Sequence, residues 1–346
     1  MTNDKDNSMI LVTGGLGFIG SHTVVALLEK GHHVLIVDDL SNSSVGVLDG
    51  IETASGIRPT FIKLNLQNGA AVAEMFQQHR ITGIIHFAAY KAVGESVQKP
   101  VAYYQNNLGS MLNLLAEVEK AASPIPFIFS SSCTVYGETT KLPITENAKV
   151  QPAMSPYGNT KQIGEEILVD TVNAIEGFRV ISLRYFNPIG AHPSIAIGEL
   201  PLGKPQNLVP FITQTAAGLY PKLTVFGNDY PTSDGTNVRD YIHVVDLAEA
   251  HVVALERILE SKSTEAYEVF NLGTGKGSSV LEVIQSFERV SGQKLTYEIG
   301  ERREGDVIAA YADTTKANTV LGWKTKRSLD EAVASAWKWE QKVRNL

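Results

Sequence analysis

Residues 9–13 (MILVT) form a short apolar run that leads straight into Gly14, Gly17 and Gly20, ahead of a stretch expected to be helical over 18–30. This strand–turn–helix junction constrains the chain more than any other segment. Glycines let the backbone turn tightly and approach a pyrophosphate, and the helix start presents free N–H groups and a partial positive charge. A glycine pattern by itself marks only a tight turn. Its place at the first strand–helix junction gives it more weight. So does Asp38, which closes the next strand, HHVLIVDD, about 20 residues on. There a carboxylate meets the adenosine ribose hydroxyls. No arginine adjoins Asp38, Asp39 and Leu40 to receive a 2′-phosphate, so NAD is expected rather than NADP.

Strand-like runs recur at 61–64, 83–89, 126–132 and 179–187, with helical stretches at 70–79, 100–120 and 157–173 between them. Such alternation predicts βαβ crossovers, hence an α/β fold with a doubly wound parallel Rossmann sheet. After Asn187 the chain turns rich in proline and glycine (NPIGAHPSIAIGELPLGKPQN) and the alternation breaks. A long irregular stretch in a compact protein is usually functional. A helix at 208–218 and a strand near 222–226 follow. The expectation is an NAD-binding domain over 1–185 and a smaller mixed α/β substrate-binding domain over 186–346, with part of 241–272 returning to the first. A length of 346 residues suits this division.

The net charge of −7 argues against broad nucleic-acid or anionic-membrane binding. Cys133 is the single cysteine and no Cys/His zinc pattern occurs, so a reducing compartment, the cytoplasm, is expected and no metal site. The start, MTNDKDNS, has no apolar leader, and no apolar run approaches the ~20 residues of a membrane span.

SPYGNTK, 155–161, carries the chemistry. Ser155 can cap a helix and Pro156 suits its first turn. Tyr157 and Lys161 then share one face at i and i+4. Taken alone, such a pair occurs often by chance. It follows FSSSCTVYG, at the C-terminal end of the fifth strand, where open α/β sheets bind ligands. Ser132 lies there, although three consecutive serines leave the choice among them open. Tyrosine, with a pKa of about 10, is a poor base at neutral pH. A unit charge about 4 Å away is worth ~4 kcal/mol at an effective dielectric near 20, about three pKa units, and desolvation opposes the shift. Tyr157 is thus a candidate general base for oxidising an alcohol, with Lys161 as its electrostatic tuner.

These motifs, with VDDLSNSS, HFAAYKAVGESV, LRYFNPIGAHPS, FGNDYPTSDGTNVRDYIHV and RREGD, resemble the extended short-chain dehydrogenase/reductase family. The likeness runs from about residue 9 to 340 and is nearest to the UDP-hexose 4-epimerases. It implies tightly bound NAD, a UDP-sugar substrate and inversion of sugar carbon 4 through a 4-keto intermediate. It implies that Gly14, Gly17, Phe18, Ile19 and Gly20 line the pyrophosphate and that Asp38, Asn42 and Ser43 hold the adenosine ribose. Asn65 faces adenine, Lys91 and Asn106 touch the cofactor, Lys161 holds the nicotinamide ribose, and Tyr185 lies by the nicotinamide. Ser132 and Tyr157 act on the sugar hydroxyl. Asn187, Asn207 and Leu208 contact the nucleotide sugar, Phe226 packs on uracil, Arg239 and Arg303 bind the diphosphate, and Asp306 binds the uridine ribose. Guanidinium forks suit phosphate oxygens and an aromatic face suits a base.

Two departures from the family pattern stand out. Asn65 replaces a frequent aspartate, and its amide oxygen can still accept a hydrogen bond. Ala310 stands where a bulky tyrosine goes with unacetylated sugars, which leaves room for an N-acetyl group. A dehydratase or decarboxylase of the same family is the alternative enzyme, and a non-enzymatic NAD-binding scaffold the alternative from another class. Dehydratases need an acid beside the catalytic serine, and here Cys133 and Thr134 follow Ser132. The resemblance also implies a homodimer paired through the helices at 100–120 and 157–173.

Overall fold

The computed structural model describes residues 8–139, 141–303 and 306–346. Most of the polar start, residues 1–7, and Glu304 and Gly305 of RREGD lie outside them. In chain order the elements begin β1 (Ser8–Thr13), α1 (Phe18–Glu29), β2 (Val34–Asp38), α2 (Val47–Ser55), β3 (Thr60–Lys63), α3 (Gly69–Gln78) and β4 (Arg80–His86). They continue α4 (Val93–Gln98), α5 (Pro100–Lys120), β5 (Phe127–Ser132), a 3-10 turn (Cys133–Tyr136), α6 (Pro156–Ala174) and β6 (Val180–Tyr185). After these come β7 (Asn187–Ile189), α7 (Leu208–Ala216), β8 (Leu223–Phe226), β9 (Val238–Arg239), β10 (Tyr241–His243), α8 (Val244–Leu259) and β11 (Tyr267–Leu272). The chain closes with β12 (Ser278–Ser279), α9 (Val280–Ser291), β13 (Tyr297–Gly300), β14 (Ala309–Ala310), a π turn (Ala317–Leu321) and α10 (Leu329–Arg344).

Seven strands form the main sheet in the order β11-β6-β5-β4-β1-β2-β3, with parallel pairing from β3 through β5. This is the doubly wound order, and it places the topological switch between β1 and β4. Each of β2, β5 and β6 is buried along its whole length. That is why the sequence reads there as continuous apolar or small runs rather than alternation. One face packs Leu35, Val37, Met111, Leu114, Phe127, Phe129 and Leu168 into a shared core. The α2 and α4 helices were not visible in the sequence pattern. Pro100 both closes the six-residue α4 and opens α5, so one apolar stretch is cut into two helices.

The chain folds as two compact units. The first comprises the chain to Gly137 together with Lys149–Arg184 and Ala248–Phe270. The second comprises Glu138–Ala148, Tyr185–Leu247 and Asn271–Leu346. It has its own core, where Val209, Ile212, Phe287, Val333 and Trp337 join α7, α9 and α10. Its α9 and α10 each start with a serine–glutamate capping box, Ser279 with Glu282 and Ser328 with Glu331. Within this unit Asn271 holds the 138–148 segment, its Nδ2 donating to the Ile144 carbonyl at 2.8 Å and its backbone N–H to Glu146 at 2.8 Å. Among the described residues no helix is long and apolar enough to cross a membrane, and no cluster of three or more potential metal ligands occurs.

The start of α1 depends on a close approach of backbone to backbone. A Cβ on Gly20 would lie 2.2 Å from the Gly14 carbonyl oxygen and 2.9 Å from Gly15 Cα. Neither neighbour can swing away. Gly20→Ala is therefore expected to destabilise the protein by ~1–3 kcal/mol through overpacking. Denaturant unfolding without added ligand checks this, and an unchanged midpoint would remove the packing role.

Candidate active site

In the first unit the glycine turn is held by its own backbone. Gly14 N–H donates to the Val37 carbonyl at 2.7 Å, Gly17 N–H to the Gly14 carbonyl at 3.0 Å and Ser21 N–H to the Gly17 carbonyl at 2.9 Å. Gly14 is left-handed (φ 66°), and a Cβ there would meet the Ala88 nitrogen at 2.9 Å. The helix that follows has no side-chain cap and no acid in its first turn. Its orphan N–H groups and dipole are thus available to an anion. Asp38 ties the turn to the end of β2. Its Oδ2 accepts Leu16 N–H at 3.1 Å, and its Oδ1 accepts Leu40 N–H at 3.0 Å and Ser43 Oγ–H at 2.7 Å. A carboxylate has about four acceptor sites, so capacity remains for a ribose hydroxyl. Glycine cradle, uncapped helix and aspartate together fit a dinucleotide.

The other residues expected around a cofactor vary in placement. Asn42 and Lys91 are exposed. Asn65 is exposed too, and its Oδ1 accepts Gln67 N–H at 2.9 Å, so one lone pair is already engaged in a local turn. Asn106 is buried, accepts from Gln67 Nε2 at 3.2 Å and donates to Asn107 Oδ1 at 3.0 Å. Asn107, unremarked in the sequence, holds more than its neighbour does. Its Nδ2 donates to the Tyr90 carbonyl and to Thr160 Oγ1, each at 3.0 Å, and its Oδ1 accepts Tyr90 N–H at 2.8 Å. It thereby ties the loop after β4 to the helix that bears Lys161.

Ser155 caps α6, accepting Gly158 N–H at 3.1 Å, and Pro156 occupies its first turn. Ser132 ends β5, buried, with its Oγ accepting Thr134 N–H at 3.2 Å. It also hydrogen-bonds Tyr157. Lys161 is 4 % exposed, and its Nζ donates to the Ser130 carbonyl at 2.6 Å. That nitrogen lies 4.9 Å from the Phe129 ring centroid and 5.9 Å from that of Tyr157. Burial pushes Lys161 down to about 8, against a smaller upward pull from Glu165. Burial likewise pushes Tyr157 up to about 12, and the hydrogen bond with Ser132 only partly offsets it. Desolvation thus outweighs the tuning expected from Lys161 alone, because this ammonium is engaged by a carbonyl rather than by the phenol. Beneath them His86 pairs with Thr13 Oγ1 at 2.8 Å and stacks on Phe129 at 16°. Desolvation, assisted by Lys161, pushes it down to about 3, so it is a neutral spacer.

In the second unit Arg239 and Arg303 converge on one carboxylate. Arg303 Nε donates to Asp306 Oδ2 at 3.0 Å and Arg239 Nη2 reaches Asp306 Oδ1 at 3.5 Å. The Arg303 guanidinium also lies 4.9 Å from the centroid of the exposed Phe226 ring. Two arginines, an aromatic face and an acid therefore stand together in this unit. Ala310 is the strand partner of Arg239 in the β9–β14 pair. Asp240, a further residue missed in the sequence, locks that pair. Fully buried, it accepts Thr274 N–H at 2.8 Å, Thr274 Oγ1–H at 2.7 Å, Gly275 N–H at 3.2 Å and Ala312 N–H at 3.1 Å. Asn187 N–H donates to the Asp240 carbonyl at 3.0 Å. The exposed Asn207 starts α7 and donates to Glu199 at 2.7 Å, with Leu208 beside it half-buried. Tyr185 is buried at the end of β6.

The model of the GDP-mannose 4,6 dehydratase family matches residues 11–336. A UDP-glucose 4-epimerase of Bacillus subtilis is 50 % identical over 331 residues, covering 96 % of each chain. Among solved structures, a UDP-glucose-4-epimerase of Stenotrophomonas maltophila with bound NAD and formylated UDP-arabinopyranose superposes with a TM-score of 0.93. It is 44 % identical, over 97 % of this chain and 98 % of that one. The UDP-glucose 4-epimerase of Bifidobacterium longum in complex with NAD+ and UDP gives 0.92 at 45 % identity, over 97 % and 99 %. The chain belongs to the UDP-glucose 4-epimerase family, within the wider family that the dehydratase model describes.

The lowered pKa of Lys161 has a stability consequence. Below pH 8 both folded and unfolded states carry the ammonium, and only the folded state bears the cost of burying it. As pH rises from 8 toward the ordinary 10.5, the folded state sheds its proton first and the cost fades. Lys161→Met is therefore expected to be more stable than the wild type at pH 7 by on the order of 1–3 kcal/mol, an advantage that shrinks toward pH 10. Urea unfolding across pH reads it, and a less stable variant at pH 7 would contradict it.

Proposed function

We propose that this protein is an NAD-dependent epimerase that inverts carbon 4 of a UDP-hexose, interconverting UDP-glucose and UDP-galactose. The observation that carries the reading is the hydrogen-bonded Ser132 and Tyr157 beside the buried ammonium of Lys161. The glycine turn and Asp38 are the residues that would hold NAD. The chemistry NAD supplies there is reversible oxidation at sugar carbon 4, together with the positive charge of its oxidised ring. Tyr157 Oη takes the proton of the 4-hydroxyl and later returns one. Starting near 12, this phenol needs positive charge beside it, and Lys161 is the chain's own source. Ser132 Oγ orients the same hydroxyl.

Inversion requires the 4-keto sugar to present its other face before reduction. Strong contacts to the sugar would prevent that, so the tight contacts belong on the nucleotide. Arg239, Arg303, Phe226 and Asp306 in the second unit suit a UDP anchor, and Asn187, Asn207, Leu208 and Tyr185 are the proposed sugar and nicotinamide neighbours. On this reading the second unit is the substrate domain. The dehydratase alternative is disfavoured by the lack of an acid at Cys133 and Thr134. The small Ala310 supports a wider substrate range that includes the N-acetylated pair. The single thiol suits the cytoplasm.

A homodimer is also proposed. On α5, Val101 (65 % exposed) and Leu112 (48 % exposed) stand in line with the half-buried Tyr104 and Leu108. This apolar stripe at helical spacing suits a second copy of the chain. Leu112→Glu is expected to shift sedimentation from dimer to monomer, and a wild-type monomer would refute the pairing.

Product analysis of the purified protein, without added NAD, tests the activity itself. UDP-galactose is expected to give UDP-glucose, and Tyr157→Phe to lower kcat by roughly 10²–10⁴-fold. Wild-type turnover by Tyr157→Phe at neutral pH would remove the proposed base. UDP-GalNAc is expected to turn over in the wild type and not in Ala310→Tyr. No reaction of the acetylated pair with the wild type would end that part of the reading.

A further inference from the structure

Next to the Ser132, Tyr157 and Lys161 set lies a pair of charges that the mechanism does not use. Glu165, one helical turn beyond Lys161, is 7 % exposed, and Arg184 on β6 is 6 % exposed. Arg184 Nε donates to Glu165 Oε1 at 2.8 Å and its Nη2 donates to Glu165 Oε2. Its Nη1 donates to the Tyr136 hydroxyl at 3.0 Å, with the guanidinium 4.9 Å from that ring's centroid. Glu165 Oε1 also accepts Ser131 Oγ–H at 2.5 Å. Ser131 immediately precedes Ser132, and Tyr136 closes the turn that follows it. The pair thus grips the chain on both sides of Ser132 and fastens it to the helix that bears Tyr157 and Lys161.

A buried ion pair is a weak device for stability, because the cost of drying both charges about cancels their attraction. An apolar pair fills such a space as well. Its linkage to both halves of the reacting set suggests another use. We propose that Glu165 and Arg184 are positioning residues for the epimerisation, setting the placement of Ser132 against Tyr157 and cancelling each other's charge beside Lys161. This rests on the reading of Ser132, Tyr157 and Lys161 as the catalytic set.

The charges around Lys161 give the proposal a sign. On its own helix it faces Tyr157 and Glu165. From β5 the Ser130 carbonyl and the Phe129 ring approach it, and from β4 the neutral His86. Arg184 on β6, Tyr136 of the 3-10 turn and Tyr267 on β11 surround Glu165. Cys133 and, from α5, Tyr103 face Tyr157, with Glu95 of α4 bonded to Tyr103. Removing Glu165's charge strands the Arg184 cation, which favours neutral lysine and tyrosinate. Removing Arg184 strands the carboxylate, which favours ammonium and neutral phenol.

The test is the pH profile of kcat on purified holoenzyme with UDP-galactose. Glu165→Gln is expected to shift the profile acid, and Arg184→Met alkaline, each by about one pH unit. Both are expected to lose about tenfold or more in kcat, with KM changed less than about threefold, since misplacement of a reacting group costs turnover. The neutral double variant, Glu165→Gln with Arg184→Met, is expected to restore the profile and not the rate. Ser131→Ala, which cuts only the tie to β5, is expected to lower kcat about tenfold with the profile unmoved. Shifts in the same direction, or none, would overturn the proposal, as would wild-type kcat in Ser131→Ala. If the single charge variants do not fold, the double variant and Ser131→Ala decide. An active Tyr157→Phe control would defeat the catalytic reading itself. An inactive one beside an unmoved Glu165→Gln profile would defeat only the positioning pair.

Discussion

A single close approach of backbone to backbone organises the first unit. The Gly14 carbonyl passes so near Gly20 that no side chain fits between them. Helix α1 can therefore start against the end of β1, at the point where the strand order reverses. The uncapped helix start and Asp38 are brought together only because of that approach. A parallel sheet leaves a crevice at such a switch point, and the ends of β4, β5 and β6 open toward the same edge. The proposed reacting residues sit on the last residue of β5 and on the first turns of α6, which follows it in the chain.

Charge burial is the second constraint. Lys161, Glu165, Arg184 and Asp240 are all held away from water, and each meets named partners. Desolvation wins at both Lys161, with one hydrogen-bond partner, and Asp240, whose four donors oppose it without reversing the upward shift. The unit that carries the proposed reacting groups thus keeps its ammonium poorly solvated. The other unit leaves its arginines partly open to solvent.

Local pattern carried much of this. The glycine spacing, the strand-ending Asp38 and the run Ser155–Pro156–Tyr157 are contiguous, and each has a physical meaning within a few residues. The doubly wound parallel sheet followed from alternation and is present. What stayed hidden depends on strands and helices meeting across long sequence separations. Glu165 and Arg184 read as an ordinary helix acid and an ordinary strand arginine until β6 is placed beside β5. Asp240 is one acid within VRDYIHV, and nothing nearby in sequence announces Thr274 or Ala312 as its partners. Asn107 was overshadowed by Asn106, because identity and spacing say nothing about which amide faces the loop and which faces the helix. How far desolvation opposes Lys161's effect on Tyr157 was hidden for the same reason, since the Ser130 carbonyl that engages the ammonium belongs to another element.

The carboxylate of Asp306 between Arg239 and Arg303 bears on how the second unit trades ligands. One carboxylate offsets part of the charge of the two guanidinium groups, so on the proposed reading an arriving diphosphate would take the place of a resident anion and keep a net positive charge to meet. The net gain would be the attraction for the diphosphate less what the carboxylate already supplies. If this pair holds the nucleotide as proposed, its affinity would be held in check, and the departing product would be helped off by an internal competitor that never diffuses away. For a reaction whose substrate and product differ at one carbon centre, such a clasp would release both with equal ease.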